Sequence, residues 1–175
     1  MAESRQSKDA SPVTDGEDIK RILKERALRL ARRGLYTTQP NPRVGCVIVR
    51  DGAIVGEGWH ARAGGPHAEA VALAEAGDRA RGATVYVTLE PCGLHGRTPP
   101  CADALVAAGV ARVVIACGDA SQREGCAIAR LLAAGIAVDS GLLRDAAREL
   151  NCGFFRRIEQ QRPWLRVKLA ASLDG

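Results

Sequence analysis

Three residues that lie far apart in the chain, His67, Cys92 and Cys101, most constrain what this sequence can fold into. An imidazole and two thiolates can close three corners of a zinc tetrahedron. For that to happen, three separate segments must arrive at one point. Pro66-His67 opens a helical pattern, Cys92 follows an apolar strand-like run, and Cys101 comes directly after Pro99-Pro100 at the start of the next helical pattern. Helix N-termini carry partial positive charge, which favours thiolate over thiol. The pattern predicts one Zn²⁺ per chain, ligated by His67, Cys92 and Cys101, and no other cofactor.

Three protein ligands leave the fourth position to water. That is the arrangement of a catalytic zinc site, whereas a structural site is closed by four. Glu69 sits two residues beyond His67 and is not needed as a ligand, so it is free to move protons. Zinc lowers the pKa of its water from ~16 toward about 7, and Glu69 is the expected catalytic residue that takes the released proton and delivers it to a ring nitrogen and then to a departing amine. His-x-Glu with two later cysteines points to hydrolytic removal of an amino group from a nucleobase-like ring.

The rest of the chain reads as one α/β layer. Asp18 to Arg33 keeps Ile19, Ile22, Leu23, Arg26, Ala27 and Leu30 roughly on one side, which predicts a helix that Gly34 ends. Gln39-Pro40-Asn41-Pro42 must be an extended loop. Val44–Val49 and Ala53–Gly58 flank Asp51-Gly52, a strong hairpin signal. Further strands are expected at Thr84–Leu89, Arg112–Ala116, Ile136–Asp139 and Trp164–Ala170. Helices are expected at Pro66–Ala76, Pro100–Ala108, Ala127–Ala134 and Leu142–Phe155. A hairpin followed by strand–helix alternation gives a three-layer α/β/α sandwich with one mixed, about five-stranded sheet. Met1 to Gly16 is polar, lacks the apolar core of a signal peptide and reads as a disordered tail.

Composition narrows the function classes. The net charge is +5, but the arginines are scattered and only 3% of residues are aromatic, which argues against a nucleic-acid-binding surface. No apolar run of membrane-spanning length is present. The expected location is the cytoplasm, where six cysteines stay reduced. Cys46, Cys117, Cys126 and Cys152 then read as packing residues outside the metal set.

At the ligand residues the chain resembles the cytidine-deaminase-like superfamily. Eight residues separate Cys92 from Cys101 where the general signature has two. This longer insert, Glu90-Pro91-Cys92-Gly93-Leu94-His95-Gly96-Arg97-Thr98-Pro99-Pro100-Cys101, is similar to the pyrimidine deaminases of riboflavin biosynthesis. Gln39-Pro40-Asn41-Pro42-Arg43-Val44-Gly45-Cys46, Gly58-Trp59-His60 and Ala107-Ala108-Gly109-Val110 also resemble that family, and the similarity runs from about Glu25 to Gly175. The resemblance implies deamination of 2,5-diamino-6-ribosylamino-4(3H)-pyrimidinone 5′-phosphate to the 5-amino-2,4-dione, with release of ammonia. By the same resemblance Asn41 and His60 contact the substrate ring and its surroundings, Arg97 meets the phosphate, and Asp119 contacts the ribosyl part. The Trp164–Ala170 strand, an edge without a partner, is expected to pair across a subunit interface, so the expected assembly is a homo-oligomer acting on a small molecule, without nucleic acid or membrane.

Departures fall on the substrate side. The family usually carries a polar residue and then histidine after the first cysteine, where this chain has Gly93-Leu94. It tends to have Asp-Pro-Asn where this chain has Asp119-Ala120-Ser121, and Gln122-Arg123-Glu124-Gly125 matches the following glycine-rich pattern poorly. Two alternatives therefore stand beside the main reading. One is a stand-alone deaminase of a related intermediate in a branch pathway of the toxoflavin or azapteridine type, and the other is a non-catalytic zinc-stabilised scaffold. Arg162 to Gly175 resembles the entry to the reductase domain of bifunctional deaminase–reductases. This gives the expected organisation of a tail at 1–16, a deaminase domain at 17–161 and a remnant of a reductase entry at 162–175.

Overall fold

Asp51 and Gly52 both adopt positive φ, 50° and 77°, the backbone of a tight two-residue hairpin turn. They join β1 (Gly45–Arg50) to β2 (Ala53–Trp59), which pair antiparallel. This is a computed structural model, and it describes residues 16–94, 99–122 and 126–172. β3 (Thr84–Leu89), β4 (Arg112–Cys117) and β5 (Ala137–Ser140) complete a five-stranded sheet of order β2-β1-β3-β4-β5. β1 and β3 run antiparallel, while β3, β4 and β5 run parallel.

Among the described residues, six α-helices cover the two faces: α1 (Gly16–Arg32), α2 (Ala68–Ala76), α3 (Cys101–Ala108), α4 (Cys126–Ala133), α5 (Arg144–Leu150) and α6 (Cys152–Gln160). Alternate residues of each inner strand feed opposite layers. Cys46, Ile48, Val85, Val87, Val113 and Ile115 join Ala72, Leu105 and Leu131 of α2, α3 and α4 in one core. Val47, Tyr86 and Val114 join Ala27 and Leu30 of α1 on the other face, beside a cluster that brings in Ala147 of α5 and Phe155 of α6. The expected three-layer sandwich with a mixed sheet is what forms.

The helices lie unusually close to the hairpin. A Cβ at Gly58 would stand 2.2 Å from the Ala68 carbonyl oxygen, and one at Gly45 would stand 2.0 Å from that of Ala27. Glycine on the strand and alanine on the helix let the two backbones meet directly. The N-terminal turn of α2 is thereby pinned against β2.

Three sequence expectations are corrected. α1 begins at Gly16 and turns Lys24, Ala27, Leu28, Leu30 and Ala31 inward, leaving Ile19 and Ile22 about half exposed. The buried face is rotated toward Lys24, which lay outside the expected stripe and donates from Nζ to the carbonyls of Val87 at 2.8 Å and Val114 at 2.5 Å. The single helix expected over Leu142–Phe155 is two, α5 and α6, separated at Asn151. Asn151 leaves helical backbone geometry because its amide is used elsewhere: Arg43 N–H donates to Oδ1 at 2.7 Å and Nδ2 donates to the Arg43 carbonyl at 2.9 Å. Trp164–Ala170 forms no strand. Leu165, Val167 and Leu169 are 80%, 77% and 87% exposed, so no sheet edge is presented to them among the described residues. Most of the expected N-terminal tail, residues 1–15, lies outside the described residues, as do 173–175.

Candidate active site and metal centre

The N-terminal ends of α2 and α3 meet the loop that leaves β3. His67 occupies the residue before α2, with extended backbone. Cys101 is the first residue of α3, and Cys92 lies three residues past β3. His67 Nδ1 stands 3.2 Å from Cys101 Sγ and 3.5 Å from Cys92 Sγ, and the Cys101 N–H donates to Cys92 Sγ at 3.1 Å. The three ligand atoms lie within 4.8 Å of one another, the one such group of histidine, cysteine and carboxylate side chains among the described residues. Zinc bonded tetrahedrally to nitrogen at ~2.0 Å and sulfur at ~2.3 Å would hold those atoms about 3.5 Å apart. The donor set and its spacing therefore fit zinc, with Nδ1 as the ligating ring nitrogen.

Electrostatics point the same way. Hydrogen bonding from Cys101, side chain first, draws the Cys92 thiol down to about 4, and the proton they share pushes Cys101 far up. The Cys92 sulfur in turn raises His67. Anionic sulfur beside a histidine is a cation-binding environment.

Glu69 lies in the first turn of α2 and is 3% exposed. Burial pushes its carboxyl up to about 7, the range a proton shuttle needs at neutral pH. A cavity of about 320 Å³ opens beside it, and His67, Glu69, Cys92, Asn41, His60 and Asp119 all reach its wall. His60 is buried and its hydrogen bonds define its state. One ring nitrogen, Nδ1, is 2.9 Å from the Pro66 carbonyl, which can only accept, so Nδ1 carries the proton. Nε2 is 3.2 Å from Asn41 Nδ2, which can only donate, so Nε2 accepts. Burial lowers the His60 pKa, consistent with a neutral ring. This tautomer turns the Asn41 carbonyl oxygen free of His60. Asn41 itself is carried by the Pro40–Arg43 loop that Asn151 grips from the far side.

Asp119 borders the cavity, but its oxygens also serve its own loop. Oδ1 accepts from Ser121 N–H at 2.9 Å and Ser121 Oγ at 2.7 Å, and Oδ2 accepts from Gln122 Nε2 at 2.9 Å. Arg97 lies outside the described residues. Sequence reasoning missed Glu90, Phe154 and Arg157, which also line the cavity together with Leu94, placed on the substrate side from the sequence. Glu90 lies two residues before Cys92 and could have been found by adjacency. Phe154 and Arg157 come from α6, whose separate existence depends on the break at Asn151, and no local signal marks them.

Residues 18–117 match the model of the cytidine and deoxycytidylate deaminase zinc-binding region. The chain belongs to this family. Within this deaminase family, the riboflavin biosynthesis protein RibD of Escherichia coli (strain K12) is 60% identical over 151 residues, covering 86% of this chain and 41% of that protein. The diaminohydroxyphosphoribosylamino-pyrimidine deaminase of Buchnera aphidicola subsp. Acyrthosiphon pisum is 50% identical over 136 residues, 77% of this chain and 92% of that protein. Among solved structures, Acinetobacter baumannii RibD, form 2, matches with a TM-score of 0.89 at 50% identity, covering 92% of this chain and 46% of that one. The chain spans about two fifths of the length of the RibD relatives it matches. The cytidine-deaminase-like fold expected from the strand–helix alternation and the family resemblance is thus the fold shared with these relatives. No helix among the described residues is long and apolar enough to cross a membrane.

Proposed function

We propose that this chain hydrolytically deaminates 2,5-diamino-6-ribosylamino-4(3H)-pyrimidinone 5′-phosphate, releasing ammonia in riboflavin biosynthesis. The observation that carries this reading is the buried Glu69 carboxyl at the wall of the same cavity that His67 and Cys92 reach. It is supported by the relative named diaminohydroxyphosphoribosylamino-pyrimidine deaminase, 92% of whose length this chain matches.

His67, Cys92 and Cys101 would hold one zinc ion, which supplies an acidified water as nucleophile and a Lewis acid beside it. Glu69 takes a proton from the attacking water and returns it to the ring nitrogen next to the attacked carbon. A carbon–oxygen bond forms at that carbon. Glu69 then moves the proton of the new hydroxyl to the exocyclic amine, the carbon–nitrogen bond breaks as the carbonyl forms, and the amine leaves as ammonia. Burial of Glu69 keeps its proton affinity high enough for both transfers near neutral pH. Asn41, oriented by neutral His60, offers its carbonyl oxygen to a ring N–H or amino group. Asp119 meets the ribosyl part through the lone pairs its own loop leaves. Arg97, with Arg157 at the cavity wall, supplies positive charge for the phosphate.

A second reading keeps the chemistry and changes the substrate. Leu94 and Ser121 line the cavity, and both depart from the pattern this family usually shows, which favours a related aminated pyrimidine from a branch pathway. The scattered charge supports a small-molecule substrate rather than nucleic acid, and the exposed Leu165, Val167 and Leu169 support self-association. Ammonia release by purified, zinc-loaded protein tests the proposal. Release from the named substrate that is lost in Glu69→Ala supports it. Absence of release from folded, zinc-loaded wild-type protein overturns the named substrate, and Leu94 and Ser121 are then the positions to vary.

A further inference from the structure

The two peptide units on either side of Cys92 are tied to one side chain. Gly93 N–H donates to Gln122 Oε1 at 2.6 Å, and Gln122 Nε2 donates to the Pro91 carbonyl at 3.4 Å and to Asp119 Oδ2 at 2.9 Å. Only one orientation of the carboxamide satisfies all three contacts. The reverse would set its oxygen against the Pro91 carbonyl and the Asp119 carboxylate, and its NH₂ against the Gly93 N–H. Asp119 is itself fixed, by Ser121 on Oδ1 and by its own N–H, which reaches Glu90 Oε2 at 3.4 Å. A closed circuit therefore runs from Glu90 through Asp119 and Gln122 back to Pro91 and Gly93, with Cys92 at its centre.

We propose that Gln122, seated on Asp119, is a positioning residue for the metal ligand Cys92. Cys92 lies in a loop with no ladder of its own: β3 ends at Leu89 and α3 begins at Cys101. The other two ligands are carried at helix starts. The Cys92 carbonyl accepts from Ala102 N–H in the first turn of α3 at 3.2 Å, and the Gln122 carboxamide holds the chain on both sides of it, at the Pro91 carbonyl and the Gly93 N–H. The role requires a donor and an acceptor at one side-chain tip, which glutamine has and glutamate lacks at neutral pH. Gly93 fits the same purpose. A Cβ there would stand 3.0 Å from the Ala127 amide nitrogen and 3.3 Å from Cys126 Sγ, so a larger residue would lever the loop away from α4. The inference rests on the zinc reading of His67, Cys92 and Cys101, and its test separates the two.

The test is metal binding by the full chain, stripped and titrated with Co²⁺ and with Zn²⁺ against a competing chelator. Loss of an outer partner of a metal ligand typically costs ten- to a hundredfold in affinity, and that fall is expected for Gln122→Ala, together with a changed Co²⁺ ligand-field spectrum. Gln122→Glu keeps the acceptor for Gly93 but faces Asp119 and the Pro91 carbonyl with a carboxylate, so it should bind metal at least as weakly. Adding Asp119→Asn to Gln122→Glu restores a donor opposite that carboxylate and should recover part of the loss, a rescue that a general effect on folding would not give. Metal-free Gln122→Ala that melts like wild type and binds Co²⁺ with wild-type affinity and spectrum would overturn the positioning role. A double variant no better than Gln122→Glu overturns it too. Wild-type protein that takes up Co²⁺ without a thiolate charge-transfer band overturns the zinc reading itself and the positioning role with it.

Discussion

At the scale of single residues, two buried ionisable groups carry opposite meanings. Glu69 is buried at the wall of the cavity, and under the proposed function its loss should be felt in turnover alone. General acid–base groups contribute about 10²- to 10⁴-fold, so Glu69→Ala should cut kcat by at least that range while the bound zinc, measured by elemental analysis, stays near one per chain. Lys24 is buried against two strand carbonyls, with no carboxylate partner among the described residues. Burial lowers its pKa from 10.5 to about 7. The unfolded chain therefore binds more protons than the folded one above pH ~7, and stability must rise with pH through that window. The buried Cys117 thiol works the other way. It is raised from 9.0 to about 11, so it gives stability that is lost above pH ~9. Urea midpoints should climb from pH 7 to pH 9 and then level or fall, and Lys24→Met should flatten the climb. An unchanged slope in the variant would remove Lys24 as the cause.

At the scale of elements, close packing aims the chemistry. Ala68, whose carbonyl oxygen lies 2.2 Å from where a Cβ on Gly58 would be, sits between His67 and Glu69. Gly58→Ala should therefore cost about 1–3 kcal/mol as an overpacked contact and also displace the start of α2. Both a lower urea midpoint and a lower kcat are expected. Asn151 is the matching device on the other face. Its loss leaves the Arg43 N–H and carbonyl without their side-chain partners, at about 1–3 kcal/mol. It also frees the loop that carries Asn41, so Asn151→Ala should raise KM more than it lowers kcat. These two positions show what was legible in the sequence. The hairpin, the helix starts at His67 and Cys101 and the metal set could be read because turn chemistry and ligand type are local signals. The break at Asn151 could not, because Leu142 to Phe155 keeps apolar residues throughout and the reason for the break is a backbone group more than a hundred positions away. The inward turn of Lys24 was not legible for the same reason, since its partners are carbonyls of β3 and β4.

At the scale of the molecule, a zinc ion held by His67, Cys92 and Cys101 would be a cross-link. It would tie the start of α2, the loop after β3 and the start of α3 on the sheet face whose core those helices cover. A ligand that binds only the folded chain adds RT ln(1 + [L]/Kd), about 4 kcal/mol when the free metal is a thousandfold above Kd. For a chain of 175 residues each kcal/mol moves Tm by roughly 2–4 °C. Stripping the zinc should therefore lower Tm by about 8–16 °C, and stoichiometric Zn²⁺ should restore it. Cys92→Ser should melt near the metal-free wild type and respond little to added zinc. His60→Ala should keep most of the zinc-dependent shift, because His60 hydrogen-bonds Asn41 and Pro66 and meets the proposed ligands only edge-on at the His67 ring, 5.6 Å between centroids. A zinc-dependent shift as large in Cys92→Ser as in wild type would mean that the stabilising metal sits elsewhere. The loss of the shift in that variant, with its retention in His60→Ala, would separate the residues that hold the metal from those that shape the cavity beside it.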